Sequence, residues 1–282
     1  MITLFIAGHK GLAVLKALID YRHLIDMVIY ESDTHVLNDY SLDIVDVSKK
    51  HDIAIYDRND NYDVNSEWGI AVGWRYLIHD DLKLIVLHDS LLSRYRGFSP
   101  LVSALINGDE EIGITALYGT QEYDSGDIID NRKIKISYPI TINTAILFIS
   151  PLAAELALNI VCSISRGEDI TGTSQDTNEI TYSLWRDDDD YYINWSWSAA
   201  KIRRFIDAVG YPYKGAAIRV GVRTIRIYKC EEVGDVKIED RQHHVGKVLF
   251  MYDGCHVVVC GEGLLKITDT SVPLHGFRIR FR

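Results

Sequence analysis

Apolar and polar positions change period repeatedly along roughly the first 130 residues, which is the signature of strands alternating with helices. Ile2-Thr3-Leu4-Phe5-Ile6-Ala7 is an apolar run of strand length. Gly8-His9-Lys10-Gly11 then reads as a turn, and Leu12, Leu15, Leu18 and Ile19 recur at helical spacing as far as Tyr21. Further strands are predicted at 26–30, 53–56 and 69–73, with an amphipathic helix at 41–51. Leu84-Ile85-Val86-Leu87 is a fifth apolar run, followed by His88. A loop containing Gly97 leads into a helix over 99–107 with Pro100 in its first turn, followed by a strand at 113–118. A long apolar helix over 144–166 ends at Gly167. This alternation predicts an α/β fold, a mostly parallel sheet with helices on both faces. Ligands of such sheets bind at the carboxyl ends of the strands, an edge shared by Gly73-Trp74-Arg75 and His88.

The pattern changes after the charge run Arg186-Asp187-Asp188-Asp189-Asp190, which reads as a solvated linker. A basic-faced helix is predicted over 198–208. After Tyr211-Pro212-Tyr213-Lys214-Gly215 come short strand-like runs at 217–222, 223–229, 247–252, 255–260 and 264–268, separated by glycine turns. They predict a small antiparallel β-barrel or sandwich. The expected division is therefore an α/β domain over 1–183 and a helix plus β-domain over 184–282. Arg278-Ile279-Arg280-Phe281-Arg282 reads as a last edge strand whose charges discourage further pairing. Tyr191, Tyr192, Trp195 and Trp197 are expected to pack between the domains.

Composition narrows the class. At 282 residues the chain is long enough for two domains, and 47% apolar with 25% charged residues is ordinary for a globular protein. A net charge of −10 argues against a protein whose main task is to grip nucleic acid. No apolar run is expected to reach the ~20 residues that span a bilayer, so no membrane partner is expected. The apolar N-terminus lacks a basic flank and reads as a first strand, not a signal peptide. Cys162, Cys230, Cys255 and Cys260 show no metal spacing. Reduced thiols, no metal site and a cytoplasmic location are the expectations. His243-His244 is placed in a surface loop.

Two segments carry the chemistry: Leu87-His88-Asp89-Ser90-Leu91-Leu92-Ser93-Arg94-Tyr95-Arg96-Gly97, and Asp124-Ser125-Gly126-Asp127 downstream. A histidine needs a carboxylate partner to fix its tautomer and stabilise its charged form. Together with Asn107-Gly108-Asp109 and Gly113-Ile114-Thr115, these segments resemble the formyltransferase family, which uses N10-formyltetrahydrofolate. That family's pattern runs approximately Asn-x-His-x-Ser-Leu-Leu-Pro, then Tyr-Arg-Gly, then Asp-x-Gly. The tail from Ile193-Asn194-Trp195 through Pro212-Tyr213-Lys214-Gly215 is similar to the C-terminal β-domain of longer members. The resemblance implies a Rossmann-like first domain and an OB-like second one. It implies attack of a substrate amine on the formyl carbon of the folate, with a tetrahedral oxyanion to stabilise and a proton to remove. His88 would be the catalytic histidine and Asp124 its orienting, proton-shuttling partner. Trp74, Tyr76 and Ile78, with Asp124, would lie at the folate.

One departure matters. Val86 stands where the family has an asparagine, and valine has no side-chain donor or acceptor. Either another donor, such as a backbone N–H or Asn107, replaces it, or His88 works slowly alone, or the protein binds without turnover. Ser93 for the usual proline changes loop stiffness more than chemistry.

The acceptor amine is read from charge. Members acting on tRNA carry, as the resemblance implies, a basic glycine-containing loop where this chain has the short acidic stretch Glu31-Ser32-Asp33-Thr34-His35-Val36-Leu37-Asn38-Asp39. With the net charge, this favours a small nucleotide-linked amino sugar, a dTDP- or UDP-4-amino-4,6-dideoxy sugar, over nucleic acid. Lys10, Arg94, Arg96 and Asn107 are the expected substrate contacts, Arg96 first for the diphosphate. A homodimer is compatible with this reading. Methionyl-tRNA formyl transfer, supported by Lys201-Ile202-Arg203-Arg204 and the arginine-rich tail, and a non-catalytic binder are the alternatives.

Overall fold

The computed structural model describes residues 1–78 and 81–282. Met1–Leu101, Glu110–Ile136 and Thr144–Trp185 gather into one unit, and Val102–Asp109, Ser137–Asn143 and Arg186–Arg282 into a second.

The first unit runs β1 (Ile2–Ile6), α1 (Gly8–Ala17), β2 (Ile25–Tyr30), α2 (Ser41–Lys50), β3 (Ala54–Asp57), β4 (Trp68–Val72), β5 (Lys83–His88) and β6 (Arg96–Gly97). After α3 (Pro100–Asn107), most of which counts with the second unit, come β7 (Glu111–Tyr118), β8 (Ile128–Lys135), α4 (Ile142–Ser165) and β9 (Tyr182–Ser183). Seven strands form one sheet in the order β3-β2-β1-β4-β5-β7-β8. The pairs from β3 to β5 are parallel, and β7 and β8 are antiparallel. The direction of winding reverses between β1 and β4, so the crevice above their carboxyl ends is the natural ligand site of this sheet.

Three sequence expectations change here. Helix α1 begins at Gly8, a full turn before the expected start. Gly11 is not a turn glycine: a Cβ there would stand 2.8 Å from Cβ of Ile6, so glycine is what lets the helix lie close on β1. Strand β8 was not anticipated, because Asp130-Asn131-Arg132-Lys133 interrupts any apolar period. It lies at the sheet edge, where charges are tolerated and guard against further pairing. The third change concerns the helices. Leu12, Val14 and Leu15 of α1, Ile44 of α2 and Ala153, Leu156, Ala157, Ile160 and Val161 of α4 all join one cluster with Leu4, Ile6, Val28, Ile70, Val72, Ile85 and Leu87. The alternate strand positions Phe5, Met27, Ile29, Ala71, Leu84 and Val86 meet residues from the loops, including Tyr62, Val64, Trp74, Ile78 and Leu82. Period-2 alternation fixed which residues share a face but not what covers it.

Helix α4 also corrects the membrane expectation, since its 24 residues are long and apolar enough to span a bilayer by composition. Its inward face instead forms part of the core, where each fully buried Leu or Ile is worth about 1.5–3 kcal/mol.

The second unit carries α5 (Ala199–Ala208), β10 (Ala216–Val220), β11 (Arg223–Val233), α6 (Arg241–His244), β12 (Val248–Tyr252), β13 (Cys255–Val259) and β14 (Leu264–Thr270). Ser198 caps α5, its hydroxyl accepting the Lys201 N–H at 3.3 Å. Ile202, Phe205 and Ile206 form the buried face of α5. The strands make a separate antiparallel sheet in the order β10-β11-β14-β13-β12. No ladder joins β10 to β12 among the described residues, so a closed barrel is not formed by strands. Residues 279–282 are not a strand. They bond both edges: Arg282 exchanges two backbone hydrogen bonds with Arg219 of β10, and the Ile279 carbonyl accepts the Val248 N–H of β12. His243 and His244 lie in the short helix α6, not in a loop. All four cysteines are free thiols, and burial pushes Cys230 and Cys260 up, which makes both inert. The aromatic group finds partners inside this unit: Trp195 packs on Phe281, Trp197 on Phe205, and the Tyr192 hydroxyl bonds that of Thr224.

Candidate active site

Strand β5 is central and pairs with both β4 and β7, which delivers His88 to its carboxyl end at 7% exposure. The loop beyond is tied down by Thr115, directly opposite His88 on β7. The Thr115 hydroxyl donates to the Ser90 carbonyl at 2.6 Å and accepts the Leu92 N–H at 3.2 Å. Ser90 in turn donates to the Arg94 carbonyl at 2.7 Å. The Leu92–Ser93 peptide is cis. Tyr95 has a positive φ of 61°, and its carbonyl receives Nε2 of His88 at 2.8 Å.

The second segment arrives from the turn before β8. Asp124 also has a positive φ, 51°, and stands with one oxygen 3.3 Å from Nδ1 of His88. Its other oxygen accepts the Gly97 N–H at 2.8 Å. Gly126 lies so close to β7 that a Cβ would fall 1.9 Å from the Tyr118 carbonyl oxygen. Gln175 locks the turn from behind. Its amide donates to the carbonyls of Asp124 and Gly126 at 2.7 and 2.8 Å, and its oxygen accepts Nε and Nη2 of Arg96.

These contacts define the proton state. A carbonyl oxygen can only accept, so Nε2 of His88 carries a hydrogen and Nδ1 is the nitrogen that faces Asp124. Burial lowers the His88 pKa below the ordinary histidine range, while Asp124 and the Tyr95 carbonyl act the other way and Lys10 adds to the lowering. A neutral ring then sets a lone pair against a carboxylate. This arrangement takes up one proton, shared between Nδ1 and Oδ1, and gives it back without moving either side chain.

The remaining expected residues fall in different places. Lys10, near the start of α1, is 13% exposed at its side chain and ion-paired with Asp89, and burial pulls its ammonium down to about 7. Arg96 is not at a rim: it is 7% exposed, with its guanidinium spent on Gln175. It braces the Asp124 turn and is not available to a diphosphate. Arg94 is exposed and lies over the Tyr95 ring, donating to its hydroxyl at 2.9 Å. Asn107 is exposed at the end of α3 and counts with the second unit. Val86 is half-buried and belongs to the same apolar cluster as Trp74, Ile78 and Leu84.

Trp74 stands edge-on to both Phe5 and Tyr76. The Tyr76 hydroxyl bonds Glu31, which together with burial raises its pKa, and the Arg58 guanidinium lies 4.0 Å from the Tyr76 ring centre. Arg75 pairs with Asp33 and Glu31. Glu31 and Asp33 of the acidic stretch after β2 therefore tie down Arg75 and Tyr76. Gln175 and Arg58 were missed by sequence reasoning, and Thr115 entered only as part of the Gly113-Ile114-Thr115 segment, without a role. Gln175 sits in a loop without periodicity.

A mostly parallel sheet with a buried His–Asp pair at the carboxyl end of a central strand is the layout of an α/β protein that binds ligands at that edge. The chain belongs to the formyl transferase family: residues 59–145 match the formyl transferase model and 186–273 match the model for the formyl transferase C-terminal domain. It is 29% identical over 185 residues to the methionyl-tRNA formyltransferase of Syntrophomonas wolfei, a match covering 66% of this chain and 57% of that protein. The match thus spans less than two thirds of that relative. Its fold is that of WlaRD, described as a sugar 3N-formyl transferase in the presence of dTDP and 5-N-formyl-THF (TM-score 0.73, 16% identity, 97% of this chain and 98% of that one). It is similarly that of an N-formyltransferase from Helicobacter canadensis in complex with folinic acid and dTDP-3-aminofucose (TM-score 0.70, 14% identity, 94% and 98%).

Proposed function

We propose that the protein transfers a formyl group from N10-formyltetrahydrofolate to the amine of a nucleotide-linked amino sugar. The observation that carries this reading is the His88–Asp124 pair at 3.3 Å, buried and short of one proton. The folate supplies an activated formyl carbon. The residues present suit it: the Trp74–Ile78 loop follows β4, is tied down through Tyr76 and Arg75 by Glu31, Arg58 and Asp33, and leaves the Trp74 indole N–H buried without a partner. His88 and Asp124 act on the amine, which must lose a proton to become an amide nitrogen. The pair accepts that proton between Nδ1 and Oδ1, and the Tyr95 carbonyl and Gly97 N–H hold both acceptors in place. Val86 cannot donate, and both nitrogens of His88 already face acceptors, the Tyr95 carbonyl and Asp124, so the oxyanion takes its hydrogen bond from another group.

The sugar acceptor is supported by the short acidic stretch after β2, bound up with Arg75, and by the fold shared with proteins described with dTDP ligands. Incubation with the folate and dTDP- and UDP-linked 3- and 4-amino sugars is expected to release tetrahydrofolate and a formamide-bearing sugar. Failure with the whole panel would sink this acceptor class. A second reading, methionyl-tRNA, is favoured by the sequence relatives. Formylation of charged initiator tRNA in the same assay would establish it instead.

A further inference from the structure

Beside a carboxylate, a neutral imidazole ordinarily carries its one hydrogen on the nitrogen that faces the acid. His88 does the reverse. Its Nε2 donates to the Tyr95 carbonyl at 2.8 Å, and Nδ1, 3.3 Å from Asp124, is left with the lone pair in the neutral ring. That carbonyl must be held firmly on the ring, although Tyr95 has the left-handed φ of 61° that a bulky side chain disfavours. Thr181 does the holding. Its hydroxyl accepts the Tyr95 N–H at 2.9 Å, and its carbonyl accepts the Arg96 N–H at 2.8 Å. The Arg96 N–H and the Tyr95 carbonyl belong to one planar trans peptide and point opposite ways. Anchoring the N–H on Thr181 thus aims the carbonyl at His88. From there β6 pairs with β9, Arg96 opposite Tyr182 and Gly97 opposite Ser183. A Cβ on Gly97 would stand 2.7 Å from the Ser183 carbonyl oxygen, so the residue whose N–H holds Asp124 is pressed against the same segment.

We propose that Thr181 is a positioning residue for proton transfer: through the Tyr95 peptide it fixes the His88 tautomer that leaves Nδ1 open to the proton of the acceptor amine. With the hydrogen on Nδ1 instead, the place between Nδ1 and Oδ1 of Asp124 would already be filled. The ring's one lone pair would then face the Tyr95 carbonyl, away from Asp124. The use of this tautomer rests on the formyl-transfer reading, and its existence does not. Thr181 is exposed, so its part lies in these hydrogen bonds more than in packing. Gln175, earlier in the same segment, steadies the other partner through the carbonyls of Asp124 and Gly126. One stretch of chain, 175–183, therefore sets both members of the pair.

Thr181→Val keeps the branched shape and removes the hydroxyl, and Thr181→Ser restores it. In the ligand-free protein at alkaline pH, nitrogen NMR of the histidine rings separates a hydrogen-bearing ring nitrogen from a bare one, with His88 assigned from its absence in His88→Gln. Wild type is expected to show hydrogen on Nε2 of His88 and none on Nδ1. In Thr181→Val the ratio of that tautomer to its alternative is expected to fall by about threefold to tenfold, the worth of one hydrogen bond. Thr181→Ser should stay within about twofold of wild type. In the formyl-transfer assay kcat should fall in Thr181→Val in proportion to the Nε2–H form lost, with KM for both substrates unchanged, and recover in Thr181→Ser. Coincident His88 spectra in wild type and Thr181→Val would overturn the proposal, and so would a wild type with its hydrogen on Nδ1. Thr181→Ala offers a second hydroxyl-free variant should Thr181→Val fold poorly. Absence of turnover with every acceptor would count against the formyl-transfer reading and leave the NMR result to judge Thr181.

Discussion

One carboxylate oxygen of Asp124 stands 3.3 Å from Nδ1 of His88, and both side chains are buried. Neither residue is free to turn away. His88 is held at its other nitrogen by the Tyr95 carbonyl, and Asp124 at its other oxygen by the Gly97 N–H.

Asp124→Asn keeps the shape of the side chain and removes its capacity to share the proton. Turnover is expected to fall by about 10²–10⁴, with KM for both substrates changed little. Steady-state kinetics and an unchanged circular dichroism spectrum check this. A loss confined to KM would mean that Asp124 only binds.

Gln175→Leu leaves the Arg96 guanidinium buried without its acceptor and frees the carbonyls of Asp124 and Gly126. Hydrogen bonds to charged groups are worth about 1.5–3 kcal/mol each. Urea unfolding should show a loss of that order, and activity should drop as the Asp124 turn loosens. Wild-type stability in this variant would show that Gln175 is a bystander.

Gly126→Ala brings a methyl group to 1.9 Å from the Tyr118 oxygen, closer than real Cβ atoms approach. Backbone must move, at a cost of about 1–3 kcal/mol, and Asp124 two residues earlier moves with it. Both a lower melting temperature and weaker turnover are expected from one added carbon.

Asp207, in α5, carries the opposite pH signature from an ordinary surface carboxylate. Burial pushes its carboxyl up to about 6, with Arg203 at 4.0 Å giving only part back. The folded chain therefore holds this proton more tightly than the unfolded one. Its contribution is complete below about pH 4 and is lost as pH rises through 6. Asp207→Asn should melt higher than wild type at pH 7.5, by about 1 kcal/mol after allowance for solvent, and match it at pH 4. A difference independent of pH would refute the assignment.

His88, Asp124 and the carboxyl edge were legible because a buried strand, a glycine turn and a carboxylate each leave a local trace. The braces were not. Gln175 contributes through two carbonyls and an arginine that lie far from it in sequence, and no spacing rule links them. Arg96 was misplaced for a related reason: a charged residue inside a motif suggests a ligand contact, and only burial reveals that it serves another side chain. Gly11 shows the same limit, since close packing on β1 and a turn ask for the same residue type. The strands of the second unit were legible from glycine turns, but the edges they leave were not.

The double attachment of residues 279–282 has a consequence for how the protein would fail. If that short segment peels away, Arg219 of β10 and Val248 of β12 lose backbone partners in the same event. The edge of β12 beyond Val248 carries Leu249, Phe250, Met251 and Tyr252, all of them solvent-exposed. Such a run is a template for strand-to-strand association between copies. Damage to these last residues should therefore first be seen as clouding on storage, before any weakening of ligand affinity.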